Sequence, residues 1–213
     1  MNTSTRRLML AGPSGALELL RDEPALVEGR APRGMAVIAH PHPLFGGTME
    51  NKVVQTLSRA FVQCGWSAVR FNFRGVGASA GVYDAGRGEL ADFLSVVEQS
   101  AGAGHLALAG FSFGAFVASR AVEVLHATRA LDHVVLVGTA ASRFEVAPVP
   151  AELHPRTLVV HGEHDDTVPL SDVFDWARPQ NLPVTVVPGA SHFFHGQLTL
   201  LRGLVVRHVH SSP

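Results

Sequence analysis

Short apolar runs alternate along the chain with longer segments in which apolar residues recur at helical spacing. Residues 89–99 show the helical pattern, with apolar residues at positions i, i+3, i+4 and i+7: Leu90, Phe93, Leu94 and Val97. Strands that alternate with helices predict an α/β fold, in which a mostly parallel sheet carries helices on both faces. The predicted strands are residues 35–39, 68–73, 106–109, 134–137, 158–161 and 184–187, and the predicted helices are residues 50–63, 89–99, 115–125, 171–177 and 197–207.

The N-terminal region has a different pattern. Residues 7–11 and 16–20 flank the turn sequence GPSG, which predicts an antiparallel hairpin. The 213 residues are 46% hydrophobic and 16% charged, a composition typical of a globular protein. Because the chain contains no internal repeat or linker-like tract, we expect a single domain over residues 1–213.

The residues Gly110, Phe111, Ser112, Phe113 and Gly114 lie where a predicted strand meets a predicted helix. The pattern G-x-S-x-G at such a junction is typical of a nucleophile elbow, a strained turn that presents a serine hydroxyl at the edge of a sheet. The flanking glycines let the strand and the helix approach each other. A tight turn that needs small residues only for packing is the alternative interpretation.

A serine hydroxyl becomes a nucleophile near neutral pH when a base takes its proton and an acid orients that base. Downstream of Ser112, Asp165 and Asp166 follow one predicted strand and His192 follows the next. The chain order serine, acid, histidine is the one that elbow-type hydrolases use. Taken singly, the aspartates are equally suited to turns or caps and the histidine to the surface. Their joint order after strand ends favours a catalytic triad.

Charge and cysteine content exclude several classes of function. The 17 basic and 18 acidic residues leave a net charge of −1, so we expect neither a nucleic-acid partner nor binding to a membrane. The single cysteine, Cys64, permits no internal disulfide, and we interpret it as a small buried group at the end of a helix. The apolar stretch after Arg6 and Arg7 is too short for an export signal, so the predicted location is cytoplasmic.

Other motifs suggest cofactors but lack the required context. Gly75 and Gly77 follow a predicted strand as in a dinucleotide-binding loop, yet the residues after them have no helical pattern. Histidine pairs with the spacing of metal ligands occur twice, but no third ligand has a recognisable spacing: His40 with His42, and His161 with His164. We therefore predict no cofactor and no metal site.

Several short motifs together resemble those of the small, lidless bacterial hydrolases of the α/β-hydrolase superfamily. They are HPHP at 40–43, GGTM at 46–49, NKVV at 51–54, RFNFRGVG at 70–77, GFSFG at 110–114 and SHFFH at 191–195. The resemblance implies an α/β-hydrolase fold without a lid domain, with Ser112 as nucleophile and His192 as base. It also implies Asp165 as the acid, through the pattern G-x-x-D-x-x-V-P.

In such hydrolases one oxyanion-hole donor comes from the loop that residues 40–47 represent here, and the other from the residue after the nucleophile. The latter donor is the backbone N–H of Phe113. Because the prolines of the loop lack an N–H, the loop donor is the N–H of His42 or that of Leu44, with His42 favoured.

The function that follows is a serine hydrolase that cleaves a carboxylic ester or thioester of a small acyl group through an acyl-Ser112 intermediate. A catalytically silent hydrolase fold that serves as a binding protein or scaffold is one alternative, and a small-peptide or amide hydrolase is another. Residues 138–156, where a lid commonly lies, number 19 and contain three prolines, so we expect no packed helical lid. We expect Phe111 and Phe144 to line the substrate site unless they belong to the core, and we expect a monomer or a homodimer.

Overall fold

An eight-stranded sheet forms the centre of the computed structural model, which describes residues 4–25 and 31–211. In chain order the strands are β1 (Ser4–Gly12), β2 (Gly15–Glu23), β3 (Met35–Ala39), β4 (Ser67–Phe71), β5 (Leu106–Phe111), β6 (Leu131–Val137), β7 (Thr157–Gly162) and β8 (Val184–Val187). The α-helices within these described ranges are α1 (Lys52–Gln63), α2 (Arg87–Ala101), α3 (Phe113–Leu125), α4 (Leu170–Ala177) and α5 (Leu198–Ser211).

The sheet has the order β1-β2-β4-β3-β5-β6-β7-β8, and its strands from β3 to β8 are parallel. β1 and β2 form an antiparallel hairpin, and β2 joins the sheet antiparallel to β4. Apolar side chains of α1 and α5 pack on one face of the sheet, whereas those of α2, α3 and α4 pack on the other. The predicted fold class, including its N-terminal hairpin, is therefore confirmed.

Two predicted boundaries differ from the structure for identifiable reasons. Helix α1 begins at Lys52 rather than at residue 50, because the side chain of Asn51 accepts a hydrogen bond from the N–H of Val53 at 2.9 Å and caps the helix. Strand β4 ends at Phe71 rather than at residue 73. The backbone N–H of Phe73 donates instead to the ring of His40, at 3.1 Å. A long-range contact of this kind leaves no periodic signal in the sequence.

The hairpin fixes the loop that follows β4. The carboxylate of Glu18 in β2 accepts hydrogen bonds from the Asn72 side chain at 2.8 Å and from the N–H of Ala78 at 2.9 Å. Gly77, at φ 57°, lies so close that an added Cβ would stand 2.5 Å from both Asn72 and Glu18. The glycines of this loop thus serve a tight turn against the hairpin, and the next helix starts only at Arg87.

Residues 138–156 form turns and end in a short 3-10 helix at Ala151–Arg156. The segment is fastened to the end of α4, since Trp176 donates to the carbonyl of Ala147 at 3.2 Å and Gln180 accepts from the N–H of Val149 at 2.8 Å. It contains no α-helix, and the prediction that no helical lid forms is confirmed.

Cys64 lies buried at the C-terminal end of α1, as the sequence suggests, and burial raises the pKa of its thiol to about 11. The thiol is therefore poorly suited to act as a nucleophile near neutral pH. Among the helices of the described ranges, none is both long enough and apolar enough to cross a membrane.

Candidate active site

Ser112 occupies a strained turn between β5 and α3, with φ 58° and ψ −118°. Its N–H donates to the carbonyl of Val137 at 2.8 Å, which holds the turn to the neighbouring strand β6. A Cβ on Gly110 would stand 2.1 Å from the carbonyl oxygen of Gly114, and one on Gly114 would stand 2.4 Å from that of Ala39. Only glycine fits at either position, so the residues around Ser112 have the close approach that a nucleophile elbow requires.

Three polar side chains from separate loops meet at this turn. The Nε2 atom of His192 lies 3.0 Å from Oγ of Ser112, and its Nδ1 atom lies 2.7 Å from Oδ2 of Asp165. The serine follows β5, the aspartate follows β7 and the histidine follows β8, so all three lie at the carboxyl edge of the sheet. All three residues are buried, with exposures of 7%, 8% and 2% for Ser112, Asp165 and His192.

Backbone donors fix the orientation of Asp165. Its Oδ1 atom accepts hydrogen bonds from the N–H groups of Thr167 at 3.0 Å and Val168 at 2.8 Å, which leaves Oδ2 for His192. Burial by itself raises the pKa of the Asp165 carboxyl, but the hydrogen bonds from His192 and Val168 outweigh burial and hold that pKa below its ordinary value. Asp166, by contrast, is exposed, and among the described residues its carboxylate accepts only from the Thr167 hydroxyl.

A second histidine supports the aspartate. His161, fully buried in β7, has its Nε2 atom 2.9 Å from the carbonyl of Val168 and 3.3 Å from Oδ2 of Asp165. Burial lowers the pKa of His161, so its ring is neutral at pH 7 and Nε2–H donates. From the sequence, His161 stood out only through its metal-ligand spacing with His164. Over the described ranges, no three side chains of His, Cys, Asp or Glu are grouped so as to hold a metal ion.

The loop at residues 40–47 is held in place by His40, which is fully buried at the end of β3. Its Nδ1–H donates to the carbonyl of Pro41 at 2.5 Å, and its Nε2 accepts from Phe73. Burial lowers the pKa of His40 to about 4, so the ring is neutral at pH 7. Gly47 closes the loop, since an added Cβ would stand 2.0 Å from the Pro41 carbonyl oxygen.

The N–H groups of His42 and Phe113 have no hydrogen-bond acceptor among the described residues. The N–H of Leu44 is already used, because it donates to Nδ1 of His42 at 3.2 Å. Nε2 of the same ring lies 3.2 Å from the hydroxyl of Tyr83. Of the two loop donors that the sequence allows, His42 is therefore the one with a free N–H.

A cavity of about 360 Å³ opens above Ser112. It is lined by Pro41, His42, Phe45, Gly46, Gly47, Asn51, Ser112, Arg143, Thr167, His192 and Phe193. The rings of Phe45 and Phe193 are 76% and 42% exposed, so the rim of the cavity is open and apolar. Sequence reasoning missed both rings and Arg143, because nothing in their spacing distinguishes them from ordinary loop residues.

Neither of the two phenylalanines expected at the substrate site, Phe111 and Phe144, lines the cavity above Ser112. Phe111 is fully buried, and the centroid of its ring is 4.8 Å from that of His192, so it supports the histidine from beneath. Phe144 stacks on Phe116 at 4.8 Å and lines an adjoining cavity of about 440 Å³ rather than the one above Ser112.

Comparison with known proteins finds both a family and a relative that match this sequence. The sequence model of the family described as X-Pro dipeptidyl-peptidase (S15 family) matches residues 24–148. An uncharacterized protein of Rickettsia prowazekii, RP471, is 32% identical over 177 residues, in a match that covers 75% of this chain and 71% of the relative.

Two solved structures are similar in both sequence and fold. XC6422 from Xanthomonas campestris, an α/β serine hydrolase without a lid, is 36% identical with a TM-score of 0.84, over 99% of this chain and 95% of that one. An α/β serine hydrolase homologue from Coxiella burnetii is 39% identical with a TM-score of 0.79, over 95% and 96% of the two chains. The chain therefore belongs to the α/β-hydrolase superfamily, within the S15 family described as X-Pro dipeptidyl-peptidase, and is a hydrolase of the α/β serine type.

Proposed function

We propose that this protein is a serine esterase that cleaves carboxylic esters or thioesters of small acyl groups. The observation that carries the proposal is the continuous chain of contacts from Asp165 through His192 to Ser112, with separations of 2.7 and 3.0 Å. Such a chain is what a serine needs to attack an acyl carbon. A binding protein or scaffold has no use for all three groups in this geometry.

In the proposed reaction His192 takes the proton of Ser112 as Oγ attacks the acyl carbonyl carbon. Asp165 accepts from Nδ1–H and stabilises the charged ring. The N–H groups of His42 and Phe113 donate to the oxyanion of the tetrahedral intermediate. His192 then gives its proton to the departing alcohol or thiol, leaving acyl-Ser112. Water, activated by the same ring, hydrolyses that intermediate and restores the free hydroxyl.

The cavity favours an ester substrate over the N terminus of a peptide. A dipeptidyl peptidase must accommodate the protonated α-amino group of its substrate, which a carboxylate near the nucleophile recognises best. The lining of the cavity above Ser112 includes no Asp or Glu, and its one formally charged side chain is the cation of Arg143. We therefore place ester cleavage ahead of dipeptide release.

Replacing Ser112 by alanine tests the nucleophile. We expect Ser112→Ala to remain folded but to lose at least about 10³-fold in kcat on p-nitrophenyl butyrate, because a triad nucleophile contributes several orders of magnitude. Ser171→Ala, at an exposed position in α4, is the matched control and should keep full activity. Activity of Ser112→Ala within about tenfold of wild type would refute the assignment.

A fluorophosphonate probe separates the esterase from the silent scaffold. An activated serine in the wild type should be labelled covalently, and Ser112→Ala should not be. Folded wild-type protein that takes up no probe would favour the scaffold. A parallel panel of butyryl esters, acyl-CoA thioesters and dipeptidyl amides then ranks the three substrate classes by kcat/KM.

A further inference from the structure

Arg143 lies in the turn before Phe144 and reaches the cavity above Ser112. Over residues 4–25 and 31–211, its guanidinium makes no hydrogen bond or ion pair. Arg143 is one of eight described arginines without an ion pair, whereas seven form ion pairs with carboxylates: Arg7, Arg21, Arg70, Arg74, Arg87, Arg120 and Arg178. An unpaired guanidinium is a set of planar donors suited to a carboxylate, and here it stands beside the proposed nucleophile.

In the cavity above Ser112, the residues around Arg143 add positive potential and no carboxylate. Asn51 lines the same cavity, and because its side-chain oxygen caps α1, its amide nitrogen remains as a donor. Helix α1 begins at the next residue, Lys52, so the positive end of its dipole lies at Asn51. The nearby carboxylate, Asp165, is occupied by His192 and two backbone N–H groups. Burial, and then the charge of Arg143, lower the pKa of His42.

Arg143 also lines the adjoining cavity of about 440 Å³, whose apolar wall is formed by the stacked rings of Phe116 and Phe144. Two further arginines line it, but Arg87 pairs with Asp84 and Arg120 pairs with Glu123. Glu145 is the carboxylate in this lining. The two cavities therefore share Arg143, a cation that forms no ion pair among the described residues and lies where a substrate that spans both cavities would pass.

We propose that Arg143 is a specificity-determining residue and that the natural substrate is an ester that carries a carboxylate. The carboxylate pairs with Arg143 while the scissile carbonyl lies at Ser112. This inference rests on the proposed esterase function and names its substrate class. The carboxylate belongs either to the acyl chain or to the leaving group, and the experiment below distinguishes these sources.

Two pairs of esters, each matched in size, test the proposal. In the first pair the acyl group carries the charge: p-nitrophenyl hemiadipate against p-nitrophenyl heptanoate. In the second the leaving group carries it: 4-carboxyphenyl butyrate against 4-carbamoylphenyl butyrate. We expect wild type to favour the charged member of one pair by about tenfold or more in kcat/KM, since charge-assisted hydrogen bonds are about twice as strong as neutral ones.

In Arg143→Gln the ratio of charged to neutral kcat/KM should fall about tenfold in the favoured pair. Arg129→Gln is the matched control, because Arg129 lies in the loop between α3 and β6, at the opposite edge of the sheet. It removes the same charge and should leave the ratio unchanged. A wild type with no preference in either pair overturns the proposal, and so does a preference that persists in Arg143→Gln.

A binding measurement tests the carboxylate site independently of whether the protein is an esterase. Calorimetry with Ser112→Ala and monomethyl adipate, which needs no turnover, should give binding that the added substitution Arg143→Gln abolishes. The protein could hydrolyse neutral esters in a Ser112-dependent way but show neither this binding nor a charge preference. That result would support the esterase proposal and refute the proposed role of Arg143. If binding depends on Arg143 but the wild-type protein hydrolyses no ester, the esterase proposal is refuted and the carboxylate site at Arg143 is supported.

Discussion

Two adjacent aspartates at the end of β7 have different environments. The side chain of Asp165 turns inward because two backbone N–H groups bind its Oδ1 atom, whereas Asp166 faces solvent. The sequence places both carboxylates at the right strand end, and only the resemblance to known hydrolases chose between them. The choice between Asp165 and Asp166 depends on the geometry of a local turn, and residue types alone do not indicate that geometry. The role of Arg143 escaped prediction for the same reason, because it too depends on a turn.

Asparagine substitutions at the two positions should separate them. In Asp165→Asn the amide no longer holds the Nδ1–H tautomer of His192, so kcat should fall by about 10³–10⁴-fold. Asp166→Asn should stay within about threefold of wild type, because it alters one exposed contact with Thr167. Steady-state kinetics on p-nitrophenyl butyrate, with circular dichroism to check folding, measure both. Reversed effects would make Asp166 the acid.

At the scale of elements, the helices and most strands follow from apolar periodicity, because each buries one face or both. The ends of elements follow less well. The N–H of Phe73 donates to the ring of His40 rather than to a neighbouring strand, so β4 stops two residues before its apolar pattern does. Partners so distant in sequence are set by the finished fold.

The loop at residues 40–47 offers a matched pair of glycine substitutions. Gly47→Ala places a Cβ against the carbonyl oxygens of Pro41 and His42, at 2.0 and 2.6 Å, so the backbone must shift and displace the N–H of His42. We expect kcat to fall by on the order of 10²-fold, as when an oxyanion donor is lost. Gly46→Ala meets no atom within 4 Å and adds only the strain of φ 77°, so it should lower Tm slightly and lower kcat far less than Gly47→Ala does. Equal kcat for the two variants would argue against His42 as a donor.

The open rim around Phe45 and Phe193 determines how the acyl chain is covered. Each methylene gains about 0.8 kcal/mol only where it is buried, and the segment at 138–156 supplies no helix to bury it. For neutral p-nitrophenyl esters we expect kcat/KM to peak at about two to six acyl carbons, with no increase at an oil–water interface. A steady rise out to the palmitate ester would contradict this expectation and indicate a deep acyl tunnel.

For the molecule as a whole, buried neutral histidines connect stability to pH. Burial, followed by the charge of His208, lowers the pKa of His133 to about 4, and burial lowers that of His40 to the same value. The unfolded chain, with a pKa near 6.5, therefore binds more protons than the folded protein between about pH 4 and 6.5. The free energy of unfolding should fall as the pH is lowered through this window.

His133→Leu isolates one of these groups at a distance from the candidate site. Urea unfolding at several pH values between 4.5 and 6 should show a slope smaller than that of wild type by up to about 1.4 kcal/mol per pH unit, the effect of one proton. His195→Leu, at an exposed position, is the control and should leave the slope unchanged. An unaltered slope in His133→Leu would mean that His133 is hydrated in the folded protein.

The left-handed backbone at Ser112 makes thermal stability and catalytic activity conflict at a single position. Glycine adopts φ 58° without penalty, whereas serine there stores strain, so a Ser112→Gly chain would resist heat better while it lost the hydroxyl that the reaction needs. Directed evolution of this protein for heat resistance alone would therefore favour discarding that hydroxyl. Any programme of thermal selection has to include turnover as a second criterion at every round.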